Sequence, residues 1–177
     1  MHYSSLVKMA QFAMEHDQEG KTVIDIGSLD INGTYRDLFP RSTYIGVDKV
    51  KGPNVDVIMD SKEWEELSNV DIVISGQTLE HVADIPKLMT SIFNVLKTDG
   101  LLIICGNEKE GTRAHWQGYH KHDLWFEGET LLCSDREGCV SILVGEKLSL
   151  INKREMVYDW QGSKIKWFWG TWKKQFD

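Results

Sequence analysis

A chain of 177 residues, 41% of them hydrophobic, is large enough for one globular domain that buries most of its unfolded surface. Its formal charge of −7, from 20 Lys and Arg against 27 Asp and Glu, argues against a broad phosphate-binding face and against bulk nucleic acid as the default partner, while leaving room for a local basic patch. Three cysteines without a C-x-x-C pair exclude a disulfide framework, and no apolar run reaches the about 18 residues of a membrane span. With no signal-peptide core at the start, the expectation is a soluble cytoplasmic protein.

In chain order, residues 5–16 place Leu6, Met9, Ala10, Ala13 and Met14 at helical spacing, which predicts an amphipathic helix over one sheet face. Residues 22–33, TVIDIGSLDING, then run from a short apolar stretch into a small polar turn, as a buried strand does when it hands over to a ligand loop. Gly27 can take a positive φ and admit a ligand to the backbone, while Ser28, Asp30 and Asn32 offer capping oxygens to a helix at 34–38. The next strand, 44–47, ends in Asp48, about 20 residues past the glycine turn, where a doubly wound fold places the acid that meets ribose hydroxyls. Leu29 stands where G-x-G-x-x-G needs its second glycine, and no Lys-Ser or Lys-Thr follows Gly33 as a Walker loop requires. The ligand left by these two exclusions is a nucleoside without a phosphate chain.

Further strands are expected at 55–59, 71–75 and 101–105, and their alternation with helical segments means a parallel sheet covered on both faces. The clearest helix spans 85–96 and stops at Lys97-Thr98-Asp99-Gly100. Residues 106–119 read as a long polar loop, 129–136 as a helix, and 140–144 and 155–158 as closing strands. Without repeats or linkers, the whole of 1–177 reads as one unit: a lead-in helix (1–20), a ligand-binding half (22–106) and a second half ending in an aromatic tail (107–177).

Four separated pieces stand in a telling order: VIDIGSLDINGTYR, YIGVDKVKGPNVDVIMD, DIVISGQTLEHV and LKTDGLLIICG. Together they resemble the motifs of class I S-adenosylmethionine-dependent methyltransferases, in particular the small methyltransferase-domain group of bacteria and phages. The resemblance spans about half the chain. It implies a three-layer, Rossmann-like α/β fold with a seven-stranded, mostly parallel sheet, one antiparallel strand inserted beside its neighbour, and helices on both faces. It also implies S-adenosyl-L-methionine as cofactor and S-adenosyl-L-homocysteine as product.

Carried over by residue, the resemblance puts Asp25 and Gly27 at the cofactor's methionine end, with Ser28 and Leu29 lending backbone groups. Asp48 would take the ribose, Met59 would lie against the adenine ring, and Asp60 would accept from the adenine amino group. Ser75 and Gln77, flanking Gly76, would border the reacting methyl. His81, in the family-like Leu79-Glu80-His81, is the nearest titratable residue to the donor. The family's His and Pro-x-Asp-aromatic-Trp-Arg segment is matched loosely, by Asp123 and Trp125 alone, with neither the proline nor the arginine.

His81, His120 and His122 are the candidate bases, since imidazole titrates near neutrality. His115, His120, His122 and Asp123 are metal-ligating types without the spacing of a strong motif, so no metal is assigned. The absence of room for a large extra domain favours a small-molecule acceptor, with no membrane partner. The alternatives are a non-catalytic cofactor-binding regulator or scaffold, and a nucleic-acid methyltransferase using the tail. That tail interleaves Trp160, Trp167, Trp169 and Trp172 with Lys164, Lys166, Lys173 and Lys174. It is expected to dock on its own domain or to form a homodimer contact.

Overall fold

The computed structural model describes residues 3–60, 62–107, 122–134, 139–142, 148–160 and 163–175. It opens with helix α1 (Tyr3–His16), in which Met9, Phe12 and Ala13 share one buried face while Met14 points into solvent. Next come β1 (Thr22–Ile26), β2 (Thr43–Asp48), β3 (Val57–Ile58), helix α2 (Lys62–Glu66), β4 (Val70–Gly76), helix α3 (Ile85–Val95) and β5 (Leu96–Asn107). The five strands pair in parallel in the order β3-β2-β1-β4-β5.

Alternation along the strands separates two cores. Val23, Ile72, Ile74 and Ile103 meet Met9 and Phe12 of α1, whereas Ile24, Val73, Leu102 and Ile104 meet Leu88 and Ile92 of α3. Both faces are covered, which is why these strands read as nearly unbroken apolar runs. Asp84 caps α3 by accepting from the Lys87 amide at 2.9 Å, and Pro86 in the first turn has no amide to leave unsatisfied.

The second half is antiparallel. β6 (Asp123–Glu127), β7 (Thr130–Ser134) and β8 (Val140–Ile142) form a three-stranded sheet, and β9 (Leu148–Trp160) and β10 (Ser163–Lys174) complete the main one. β10 lies between β5 and β9, antiparallel to both, so the seven-stranded order is β3-β2-β1-β4-β5-β10-β9. The expected inserted antiparallel strand is therefore present. Phe126 of the small sheet stacks on Trp172 (6.0 Å, 9° between planes) and meets Phe168 edge-on at 5.5 Å. Lys174 donates to the Phe93 and Leu96 carbonyls at 3.1 and 2.7 Å, satisfying the C-terminal end of α3. The aromatic tail is thus docked within its own chain as an inner strand, with Trp167 and Trp172 buried and both edges of the strand paired.

Several expectations are corrected. The helix expected at 34–38 is a single 3-10 turn, Arg36–Leu38, and the strand expected at 55–59 is reduced to Val57–Ile58. The helix expected at 129–136 is strand β7, because Gly128, at φ 60°, closes a two-residue turn that sets Glu127 opposite Thr130. β5 starts at Leu96 rather than 101: its register jumps from Val70↔Leu96 to Ile72↔Leu101, and Asp99 rather than Gly100 takes the left-handed turn. The loop expected at 106–119 lies, from residue 108 on, outside the described residues. Among those residues, no helix is long and apolar enough to cross a membrane.

Candidate cofactor and active site

The carboxyl ends of β1, β2, β3 and β4 open on one cavity of about 660 Å³. Open α/β sheets bind ligands at this edge, where strands running in one direction end in divergent loops. The turn after β1 depends on Gly27, at φ 83°, whose added Cβ would lie 2.0 Å from Thr78 Oγ1. Only glycine lets this turn meet the turn after β4. The amides of Gly27 and Ser28 both donate to the Val47 carbonyl, at 2.8 and 3.1 Å. Asp48 then ties the turn to β2, accepting from the Leu29 amide at 3.2 Å and the Val50 amide at 3.1 Å.

Asp25 forms one wall, 3% exposed, and accepts a hydrogen bond from the Tyr44 hydroxyl. Burial pushes its carboxyl up to about 7, against the opposing pull of Tyr44 and Arg36. At the other end of the cavity lie Met59, Asp60 and Trp64, facing Lys87 and Leu88 of α3. Lys87 reaches Asp60 at 3.2 Å, and Asp60 holds a left-handed φ of 64°.

Beyond β4, Gln77 has φ 60°, its amide donates to the Cys105 carbonyl at 2.9 Å, and its buried side-chain Nε2 has no hydrogen-bond partner among the described residues. A 3-10 turn, Leu79–His81, follows and leaves His81 lining the cavity. Glu80 turns inward instead, 2% exposed, and among the described residues both carboxyl oxygens lack a partner outside their own residue. Burial pushes that carboxyl up to about 7 and the neighbouring Cys105 thiol up to about 12, so the thiol stays protonated and inert.

The cavity brings together Asp25, Gly27, Ser28, Leu29, Asp48, Met59, Asp60 and Gln77 from the expected cofactor set. Ser75 is the exception: it sits one step inside β4, 1% exposed, with its hydroxyl directed at the Ile26 carbonyl. Of the candidate bases, His81 lines the cavity, while His120 lies outside the described residues. His122 is not among the lining residues; its Nε2 lies 3.3 Å from the carbonyl of the lining residue Ala83, and its buried Nδ1 has no partner among the described residues. The sequence reading missed Tyr35, Trp64, Thr78 and Lys87 as wall residues. Lys87 had a usable signal, one turn into a capped helix that starts just past the fourth strand, whereas Thr78 had none. Among the described residues, no group of three or more His, Cys, Asp or Glu is placed to hold a metal ion.

A family model described as a methyltransferase domain matches residues 4–148. No curated protein matches the chain in sequence. Solved structures match in fold, among them the YcgJ protein of Bacillus subtilis, with a TM-score of 0.64 at 14% identity, covering 99% of this chain and 100% of that one. The N-methyltransferase NodS of Bradyrhizobium japonicum matches with a TM-score of 0.61 at 10% identity, over 97% of this chain and 95% of its own. The 1,6-didemethyltoxoflavin-N1-methyltransferase of Burkholderia thailandensis, solved with 1,6-didemethyltoxoflavin and S-adenosylhomocysteine, matches at 0.58 and 14% identity, over 97% and 79%. With a family model spanning most of its length and the sheet order its motifs imply, the chain belongs to the methyltransferase-domain family, as a class I S-adenosylmethionine-dependent methyltransferase.

Proposed function

We propose that the chain methylates a small-molecule acceptor, by in-line transfer from S-adenosylmethionine, in the cavity at the carboxyl edge of the main sheet. The observation that carries this reading is the meeting of three acids, Asp25, Asp48 and Asp60, from the ends of β1, β2 and β3, around the bare Gly27 turn in one cavity. That donor set suits an amino-acid ammonium, ribose hydroxyls and an adenine amino group, and the volume falls within the roughly 300–1,000 Å³ of small-molecule sites.

When bound, the cofactor supplies a methyl group already activated by its positively charged sulfonium. The residues then have to orient the acceptor and exclude water. Gln77, whose buried donor has no partner among the described residues, is suited to orient an acceptor oxygen or nitrogen. Of the two candidate bases among the described residues, His81 lines the cavity and His122 bonds the carbonyl of the lining residue Ala83, so His81 is the better placed of these two for the base role. Support for a small acceptor comes from the Burkholderia neighbour, which was solved with 1,6-didemethyltoxoflavin bound.

Calorimetric titration of the wild type and Asp48→Ala with S-adenosylmethionine and S-adenosylhomocysteine tests the reading. Micromolar binding that is lost in the variant supports it; a wild type that binds neither compound overturns it. Binding without turnover across a panel of amine and hydroxyl acceptors would favour the non-catalytic alternative.

A further inference from the structure

The turn and the carboxylate assigned above to the cofactor's methionine end are both held by residues that do not line the cavity. Arg36 donates from Nε to Asn54 Oδ1 at 2.5 Å and from Nη2 to Asp56 Oδ2 at 2.5 Å. Its guanidinium also lies 4.5 Å over the Tyr44 ring, with Nη1 3.4 Å from the Tyr44 carbonyl.

Two arms leave this point. Asn54, at φ 67°, donates from Nδ2 to the Ser28 carbonyl at 2.8 Å and accepts the Ser28 hydroxyl on its own carbonyl at 3.1 Å. Gly46 allows that approach, since a Cβ there would fall 1.9 Å from the Asn54 carbonyl oxygen. The other arm is Tyr44, held from one side by the guanidinium while its hydroxyl donates to Asp25.

We propose that Arg36 is a positioning residue for the methionine end of the cofactor, fixing the Ser28 turn through Asn54 and the Asp25 carboxylate through Tyr44. The inference rests on the cofactor reading above. The groups that bear on Asp25 are Tyr44 and Asp48 from β2, Arg36 from its 3-10 turn and the Tyr35 phenol. Arg36 is the cation of this set, so its loss leaves burial and Asp48 to favour the neutral acid. A neutral Asp25 has no charge to offer an ammonium group. The adenine end, at Met59 and Asp60, lies outside both arms.

The test compares S-adenosylhomocysteine with 5′-methylthioadenosine, which keeps the nucleoside and sulfur but lacks the amino acid. Wild type, Arg36→Met and Tyr44→Phe are titrated calorimetrically from about pH 6 to about pH 8. Both variants should lose about tenfold or more in S-adenosylhomocysteine affinity, as expected for a weakened charge-assisted contact, with the largest loss at the acid end. Affinity for 5′-methylthioadenosine should stay within about twofold, because the adenosine contacts are separate. Tyr44→Phe keeps the ring beneath Arg36 and carries the test if Arg36→Met does not fold. Equal losses for both ligands, or none for either, overturn the role of Arg36 and leave the methyltransferase reading intact. A wild type that binds neither ligand overturns both.

Discussion

In the region from β1 to β4, the cavity residues sit at strand ends and are reached by turns of a few residues. Among the described residues between β5 and β10 none lines the cavity, and the elements are held by long antiparallel pairings and stacked aromatics. The first region trades regular packing for left-handed backbone at Gly27, Asp60 and Gln77, all at the cavity. The second buries Trp167, Phe168 and Trp172 against strands and the small sheet. One region holds a shape open; the other supplies the apolar burial that makes an open shape affordable.

The comparison breaks most visibly at Trp172, 1% exposed. Trp172→Ala should lower stability by about 3–5 kcal/mol in urea unfolding, as truncation of a buried aromatic does. A loss under about 1 kcal/mol would show that the antiparallel half is not the anchor. Gly27→Ala comes next: the positive φ alone costs about 1–3 kcal/mol, and the collision with Thr78 adds to it. Cofactor titration of the same variant should show binding abolished, and retained affinity would separate the turn from the site. Asp48→Asn keeps the side chain's shape but drops its charge. A charged hydrogen bond contributes about 1.5–3 kcal/mol, so cofactor affinity should fall roughly ten- to hundredfold with little change in melting temperature.

The effect of pH is smaller and has a definite sign. Asp25 and Glu80 carry folded pKa values of about 7 against ordinary values of 3.8 and 4.5, so over that interval the folded state binds more protons than the unfolded one. Stability should therefore fall as pH rises from about 4.5 to about 7 and then level off. His16, held below its usual 6.5 mainly by burial, opposes this near its own titration, a single group against two. Asp56 and Asp71 are both held below 3.8 and matter only in stronger acid. Chemical denaturation at several pH values should show the fall in wild type and much less of it in Asp25→Asn with Glu80→Gln. A stability that rises over the same interval would refute the assignment. The smallest effect should come from Lys173→Ala, which breaks the surface pair with Asp99 at 2.7 Å. Such exposed pairs contribute about 0–1 kcal/mol, and urea unfolding should barely register the change.

Legibility in the sequence followed the range of the forces involved. The helix 85–96 was readable because its apolar period and its stop at residues 97–100 are local patterns, and the structure adds the Asp84 cap and Pro86 at its start. β7 was misread because the signal that decides it, the left-handed turn at Gly128, acts only by pairing with β6. Ser75 looked like a site residue by its place after the fourth strand, yet the strand runs one residue further and carries the serine inside. Arg36, Asn54 and Tyr44 gave no signal at all, since their contacts join positions up to 26 residues apart in the chain.

By itself the sequence determined the alternation of strand and helix, the glycine turn and the acids Asp48 and Asp60 that follow the second and third strands, because each rests on a local pattern or a φ angle. Only the tertiary structure decided that Gly27 must clear Thr78, that His81 and not His122 lines the cavity, and that the tryptophan tail is an inner strand. Those outcomes depend on which surfaces exclude one another across long sequence separations, and no local periodicity encodes that.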